Sequence, residues 1–325
     1  MTHKQHPLHT GFTPAATADE VLTGINLSGK NVIVTGGHAG IGLEVTRALS
    51  KAGASVAVGS RNPDQATLAV AGLERVEVSQ LDLLDPQSID AFAARWLESG
   101  RPLHILINGA GASGGPARDA RGFEKHFATN HLGHFQLTLG LLPALQAAHG
   151  ARVVNVSSGA QRFADIQWED PNFTDGKNLN LAYAQSKTAN VLFAVELDRR
   201  WAADGIRGYA VHPGVVAGTK MNSSVGDETL RKMGLIDEDG QPIIDPEVGK
   251  KTPQQGASTI VFAATSPLLA EISGVYLRDN DISPLDGGAN KPVTAQSIPA
   301  DVAPHSIDPQ SARRLWELSE GLLTV

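Results

Sequence analysis

Seven short apolar runs alternate with stretches of helical spacing from Asn31 to the end of the chain, and this alternation restricts the fold more than any other feature. The runs are Asn31–Thr35, Ser55–Gly59, Val76–Gln80, His104–Asn108, Ala151–Ser157, Arg207–His212 and Gly274–Leu277. Between them, PQSIDAFAARWLES, FEKHFATNHLGHFQLTLGLLPALQ and SKTANVLFAVELDRRWAADG carry apolar residues at helical spacing. Such a pattern predicts an α/β fold, a single doubly wound domain with a seven-stranded parallel sheet and helices on both faces. The runs are nearly all apolar, as befits strands covered on both sides.

The remaining segments attach to this frame. Residues 1–25 read as an N-terminal extension and 26–325 as one catalytic domain. Insertions at 161–180 and 215–252 follow strand ends, where open α/β sheets bind ligands. Asp308-Pro309 starts a terminal helix over about 309–322, with Leu315, Leu318 and Leu322 on one face. Trp201 could be core or pocket wall, while Trp168 and Trp316, in the variable segments, are the better candidates for pocket walls.

Composition removes several functions. The absence of cysteine excludes disulfides, thiolate metal sites and cysteine nucleophiles. A net charge of −7 provides no positive field for nucleic acid. No stretch approaches the roughly 20 apolar residues of a membrane span, and the polar N-terminus has no signal-peptide centre. The expectation is a cytoplasmic protein without a membrane partner. His126, His131 and His134 lack the spacing and acidic company of a metal site, so no metal is expected.

The turn Thr35-Gly36-Gly37-His38-Ala39-Gly40-Ile41-Gly42 joins the first strand to its helix. Its glycines let backbone approach a pyrophosphate, and the helix N-terminus supplies amide donors, so Gly36, His38, Gly40, Ile41 and Gly42 are assigned to a dinucleotide. The second strand ends Ser60-Arg61-Asn62, with no carboxylate for a free ribose. Arg61 can form a bidentate pair with a 2′-phosphate, which favours NADP over NAD.

Tyr183 and Lys187 lie one helical turn apart on one face. A phenol with a pKa of about 10 exchanges protons poorly at neutral pH, and a nearby ammonium favours its ionised form. Ser157-Ser158 ends a strand upstream, and Asn130 interrupts the helix FATNHLGHF.

With TGGHAGIG, LDL at 81–83, NGAG at 108–111, ATNHLGHF, VNVSS, YAQSK and HPG at 212–214, the chain resembles the short-chain dehydrogenase/reductase family. More narrowly it resembles the retinol-dehydrogenase and WW-domain-oxidoreductase branch, over about residues 18–320. The resemblance implies a Rossmann fold and roles for particular residues. Tyr183 would be the general acid or base, Lys187 would lower its pKa and bond the nicotinamide ribose, and Ser158 would hold the substrate oxygen, with Ser157 as fallback. Asn130 would kink its helix and help hold a water linked to Lys187. Asp82 and Leu83 would cap the adenine. Asn108, Ala110 and Gly111 would line the cofactor, and Pro213, Gly214, Val216 and Thr219 would face the nicotinamide.

There are departures. Gly109 stands where a second asparagine is common, and Gly218 stands where the family has threonine or serine, with Thr219 one place late. The polar N-terminus lacks the anchor common in retinol dehydrogenases, which weighs against a retinoid. The expected function is hydride transfer between NADP(H) and a lipophilic ketone, aldehyde or secondary alcohol. The alternative is an NADP(H)-binding redox sensor or scaffold without turnover. Epimerases and dehydratases with the same Tyr/Lys pair space their glycines differently. The resemblance also implies a homodimer or homotetramer through helices around 120–148 and 180–204, with a monomer left open by the segment before Tyr183.

Overall fold

In the computed structural model, residues 4–112, 117–176, 178, 181–216, 226–287 and 293–324 are described. Eight strands form one sheet: β1 (Asn31–Thr35), β2 (Ser55–Ser60), β3 (Val76–Gln80), β4 (Ile105–Asn108), β5 (Arg152–Val156), β6 (Arg207–His212), β7 (Val275–Arg278) and β8 (Asp281–Ile282). Their order is β3-β2-β1-β4-β5-β6-β7-β8, all parallel except the antiparallel pair β7–β8. The sequence predicts seven strands; the eighth has two residues and no apolar run to betray it. Asp279 and Asn280, both with positive φ, turn the chain back to form it, and such residues tolerate the left-handed region.

The helices are α1 (Ala18–Val21), α2 (Gly40–Lys51), α3 (Pro63–Ala69), α4 (Pro86–Glu98), α5 (Lys125–Phe127), α6 (Gly133–Gly140), α7 (Leu142–Ala147), α8 (Ala182–Trp201), α9 (Asp227–Lys232), α10 (Pro253–Thr265) and α11 (Pro309–Leu323). Their starts are written locally. Asn62, Asp85, Thr252 and Asp308 each cap a backbone N–H and are followed by proline, whose missing N–H costs nothing in the first turn. Alternation along the strands then divides two cores. Val32 and Val34 of β1 pack with Val45 and Leu49 of α2 and Ile260 of α10, while Ile33 packs with Phe92 of α4, Phe135 of α6 and Phe193 of α8.

Described segments near both ends, from Gln5 and in α11, are tied down. The Gln5 carboxamide donates to Tyr276 O and Ser283 O and accepts from Tyr276 N, and Asp281 accepts from Leu8 N and His9 N. The extension thus straps the β7–β8 edge. The terminal helix α11 buries Leu315 and partly buries Leu318 and Leu322, the expected face. Trp316, however, is core and not pocket wall. It is 3% exposed, with ring centroids 4.9 Å from Phe135, 5.3 Å from Trp201 and 5.8 Å from Phe193. Trp168 lies under the Arg314 guanidinium at 4.3 Å and lines a cavity of about 310 Å³ with Ile166 and Phe173. Among the described residues, no helix is long and apolar enough to cross a membrane.

Candidate active site

The turn after β1 folds tightly on itself. Gly36 has φ +70°, and a Cβ there would lie 3.1 Å from Ala110 Cα; one on Gly42 would lie 2.5 Å from Gly36 O. Side chains would therefore fill the cradle at both places. His38 stands in the same turn, and Ala39, which precedes α2, has no side chain able to cap it. The first amides of α2 at Gly40, Ile41 and Gly42 thus retain the positive end of the helix dipole, a donor set that fits a pyrophosphate. Ile41 and Val216 converge over Gly256 of α10, where a Cβ would meet Val216 at 2.9 Å and Ile41 at 3.3 Å.

At the end of β2 the three polar residues divide their work. Ser60 Oγ donates to Asn62 O and accepts from Asn62 N, both at 3.1 Å, and Asn62 Oδ1 caps α3 through Gln65 N. Arg61 is exposed, so its guanidinium is the group here that faces outward. Asp82 Oδ1 accepts from Leu84 N, and Leu83 is buried beside Gly133, where a Cβ would lie 2.5 Å from Leu83 O. Asn108 is a cross-link inside the fold: its Nδ2 donates to Asn155 Oδ1 at 2.8 Å and Thr138 Oγ1 at 3.2 Å. Ala110 and Gly111 continue from it beneath the glycine turn, Gly109 N and Ala110 N donating to Thr35 Oγ1 at 2.9 and 3.0 Å.

Asn130 lies in a π turn, Ala128–Leu132, between α5 and α6. Both polar atoms of its side chain have partners. Oδ1 accepts from Ala112 N at 2.8 Å, and Nδ2 donates to Ser186 Oγ at 2.9 Å. Ser186 Oγ in turn donates to Tyr183 O at 2.7 Å. Asn130 therefore ties the 109–112 loop to the helix bearing Tyr183 and Lys187.

On α8, the Tyr183 phenol lies close to the Ser158 side chain. Burial pushes the phenol above its usual pKa, and the Ser158 hydroxyl pulls it partly back. Lys187 Nζ is 5.5 Å from the Tyr183 ring centroid and donates to Val156 O at 3.0 Å. Burial lowers the Lys187 ammonium to about 8. Burial thus dominates the phenol here, in place of the lowering by Lys187 that the sequence suggests. The two serines separate: Ser157 Oγ donates to Lys187 O at 2.7 Å and anchors α8, leaving Ser158 beside the phenol. His126 sets its ring edge against Tyr183 at 5.9 Å and holds Glu124 Oε1 through Nδ1 at 2.8 Å.

Pro213 and Gly214 follow β6, with Gly214 at φ +84° and a Cβ there only 2.8 Å from Lys251 Cδ. Beyond them, Val215 N donates to Gly249 O and Lys251 N to Val215 O, pinning 245–251 over the strand ends. Gly218 and Thr219 lie outside the described residues. A cavity of about 190 Å³ opens beside His212 and Gly214, walled by Glu247, Arg278, Asp279 and Asp301. Among the described residues, no three His, Asp or Glu side chains are placed to hold a metal.

Sequence reasoning missed three supporting groups: Thr35, His134 and His212. Thr35 Oγ1 and His134 Nε2 are 2.8 Å apart, and His212 Nδ1 accepts from Gly159 N, the residue after Ser158, at 3.1 Å. No spacing rule links positions 99 residues apart, so no signal could have paired the first two.

Known proteins share this arrangement of chain. The family model described as short chain dehydrogenase matches residues 30–230. A "Probable oxidoreductase" of Streptomyces lividans is 42% identical over 308 residues, 92% of this chain and 99% of that one. Retinol dehydrogenase 12 of Homo sapiens is 36% identical over 310 residues, 93% of this chain and 89% of that protein. The solved structure of an uncharacterised protein from Mycobacterium Paratuberculosis superposes with a TM-score of 0.68 at 30% identity, covering 92% and 95% of the two chains.

Proposed function

The chain belongs to the short-chain dehydrogenase family of oxidoreductases that act on CH–OH groups, and on that premise we propose an NADP(H)-dependent carbonyl reductase or alcohol dehydrogenase in which Tyr183 exchanges the proton. The observation that carries the reading is the Tyr183 phenol beside the Ser158 side chain, with Lys187 Nζ one helical turn along and 5.5 Å from its ring centroid.

The nicotinamide, when bound, supplies or accepts the hydride. Everything else falls to the chain. The Ser158 hydroxyl donates to the substrate oxygen and fixes it beside the phenol. Tyr183 Oη delivers its proton to that oxygen as a carbonyl is reduced, and takes one back when an alcohol is oxidised. Lys187, with a pKa of about 8, is charged at neutral pH and stabilises the phenolate left behind. Asn130 holds this helix against the cofactor-lining loop through Ser186 and Ala112 N.

Support for NADP is the exposed Arg61 at the end of β2, with no carboxylate beside it to repel a 2′-phosphate. Support for a lipophilic substrate is the relative named for retinol, a lipophilic alcohol. Support for a monomer is α11, whose Trp316 covers Phe135 of α6 and Phe193 of α8, the helices that a dimer would otherwise use.

The deciding experiment follows NADPH oxidation against a panel of carbonyls with the unmodified protein and Tyr183→Phe. The variant should lose at least about 100-fold in turnover while binding NADPH within about threefold. Turnover that survives the substitution refutes the role of Tyr183.

A further inference from the structure

His134 lies fully buried on α6, four residues after Asn130, and both its ring nitrogens have partners. Their chemistry can be read from Thr35. A hydroxyl has one hydrogen and two lone pairs. Gly109 N–H and Ala110 N–H, at 2.9 and 3.0 Å, take the lone pairs of Thr35 Oγ1. Its hydrogen therefore goes to His134 Nε2 at 2.8 Å, a closer acceptor than Ile107 O at 3.4 Å. That makes Nε2 the bare nitrogen and places the ring hydrogen on Nδ1, which donates to Asn130 O at 3.0 Å. Burial without a carboxylate partner keeps the ring neutral, as this arrangement requires.

The bonds run in one direction: the amides of 109 and 110 to Thr35, Thr35 to His134, and His134 to the carbonyl of Asn130. Their two ends are the two halves of the site. Thr35 precedes Gly36, and the backbone of Ala110 is the surface on which Gly36 rests. Asn130, at the other end, grips α8 through Ser186. No backbone hydrogen bond could span these elements at that point, since β1 and the π turn present no facing ladder; a side chain with one donor and one acceptor on a rigid ring can.

We propose that His134 is a positioning residue that locks the nucleotide-binding turn to the Asn130 turn, so that cofactor affinity depends on its bond to Thr35 and turnover on its bond to Asn130. The inference rests on the reading above, its affinity half on NADP(H) binding and its turnover half on the acid–base role of Tyr183.

Two substitutions separate the halves. The amide nitrogen of asparagine reaches the place of Nδ1, so His134→Asn keeps the donor to Asn130 O and loses the acceptor for Thr35. The amide of glutamine reaches the place of Nε2, so His134→Gln keeps the acceptor and loses the donor. His134→Phe fills the volume and loses both. The measurements are NADPH affinity by fluorescence titration, kcat on a carbonyl substrate, and the melting temperature. His134→Phe should weaken NADPH binding and lower kcat by about tenfold each, the scale of one buried hydrogen bond. His134→Gln should recover affinity to within about threefold of the unmodified protein with kcat still low, and His134→Asn should do the reverse. Equal behaviour of the two amides, or losses that simply track melting temperature, overturns the proposal. If the unmodified protein turns over no carbonyl, the acid–base reading fails on its own, and the affinity comparison between the two amides still decides the role of His134.

Discussion

Lowering the pH from 6 to 5 should destabilise this protein steeply, because three buried histidines resist protonation for separate structural reasons. His131 has its ring among Phe127, Phe135 and Phe193, with centroids 5.3 to 5.9 Å away. Ser319 Oγ gives its hydrogen to Leu315 O, so His131 Nε2 must donate to Ser319, and the bare Nδ1 has no partner. A proton placed there would have no acceptor. At His134 a second proton would face the Thr35 hydroxyl, and at His212 it would face the Gly159 N–H. Burial accordingly holds the three pKa values near about 3, about 4 and about 4, against 6.5 for the free side chain. The unfolded chain therefore binds protons that the folded chain refuses. The contribution of these histidines is complete above about pH 7 and is lost as the pH drops through 6.5 towards 4. Near pH 5 the difference is between two and three protons, or about 3–4 kcal/mol per pH unit. That is a large share of a typical stability of roughly 5–15 kcal/mol. Glu124 and Glu196 are held below the usual carboxylate range and add a loss of the same sign, mainly as the pH falls through 4.5, below the step from pH 6 to 5. Urea unfolding at pH 7, 6 and 5, with a constant m-value, measures the slope. His131→Leu should reduce it by about one proton, roughly 1.4 kcal/mol per unit. A loss between pH 6 and 5 no larger than a single proton would explain refutes the account.

Three further expectations follow from the geometry. Gly42→Ala puts a methyl group 2.5 Å from Gly36 O, so the turn must open; stability should drop by roughly 1–3 kcal/mol and NADPH affinity should fall with it, both readable in one thermal-shift titration. Trp316→Ala should cost about 3–5 kcal/mol and, by loosening α11, raise the apparent mass in gel filtration at high concentration, with substrate KM unchanged. A changed KM at unchanged stability would return Trp316 to the pocket wall. Arg61→Asp, on an exposed side chain, should leave the melting temperature alone but weaken NADPH roughly ten- to a hundredfold and favour NADH; equal affinities for both cofactors in the unmodified protein would sink the NADP assignment.

How much of this was legible beforehand depends on the range of the interaction that decides it. The sheet, its helices and their caps follow from local rules, because period, proline placement and capping side chains act within a few residues. β8 escaped since two residues have no period. The glycine turn and the Tyr183/Lys187 pair were visible because both are short, contiguous patterns. The resemblance already favoured Ser158 over Ser157, but that Ser157 Oγ anchors α8 by donating to Lys187 O is a contact across 30 residues that no local pattern carries. Trp316 reads equally well as pocket or core until α11 is seen lying on Phe135 and Phe193.

The sequence alone therefore determined the alternating fold class, the dinucleotide cradle and the pair of residues proposed to move the proton. Only the tertiary structure decided what Ser157 holds, against which side chains the terminal helix packs, and that a neutral His134 joins Thr35 to Asn130. The reason is physical: periodicity and helical spacing are encoded in neighbours along the chain. A buried hydrogen-bond network is a closed count of donors and acceptors, and it can be taken only once every partner is in place.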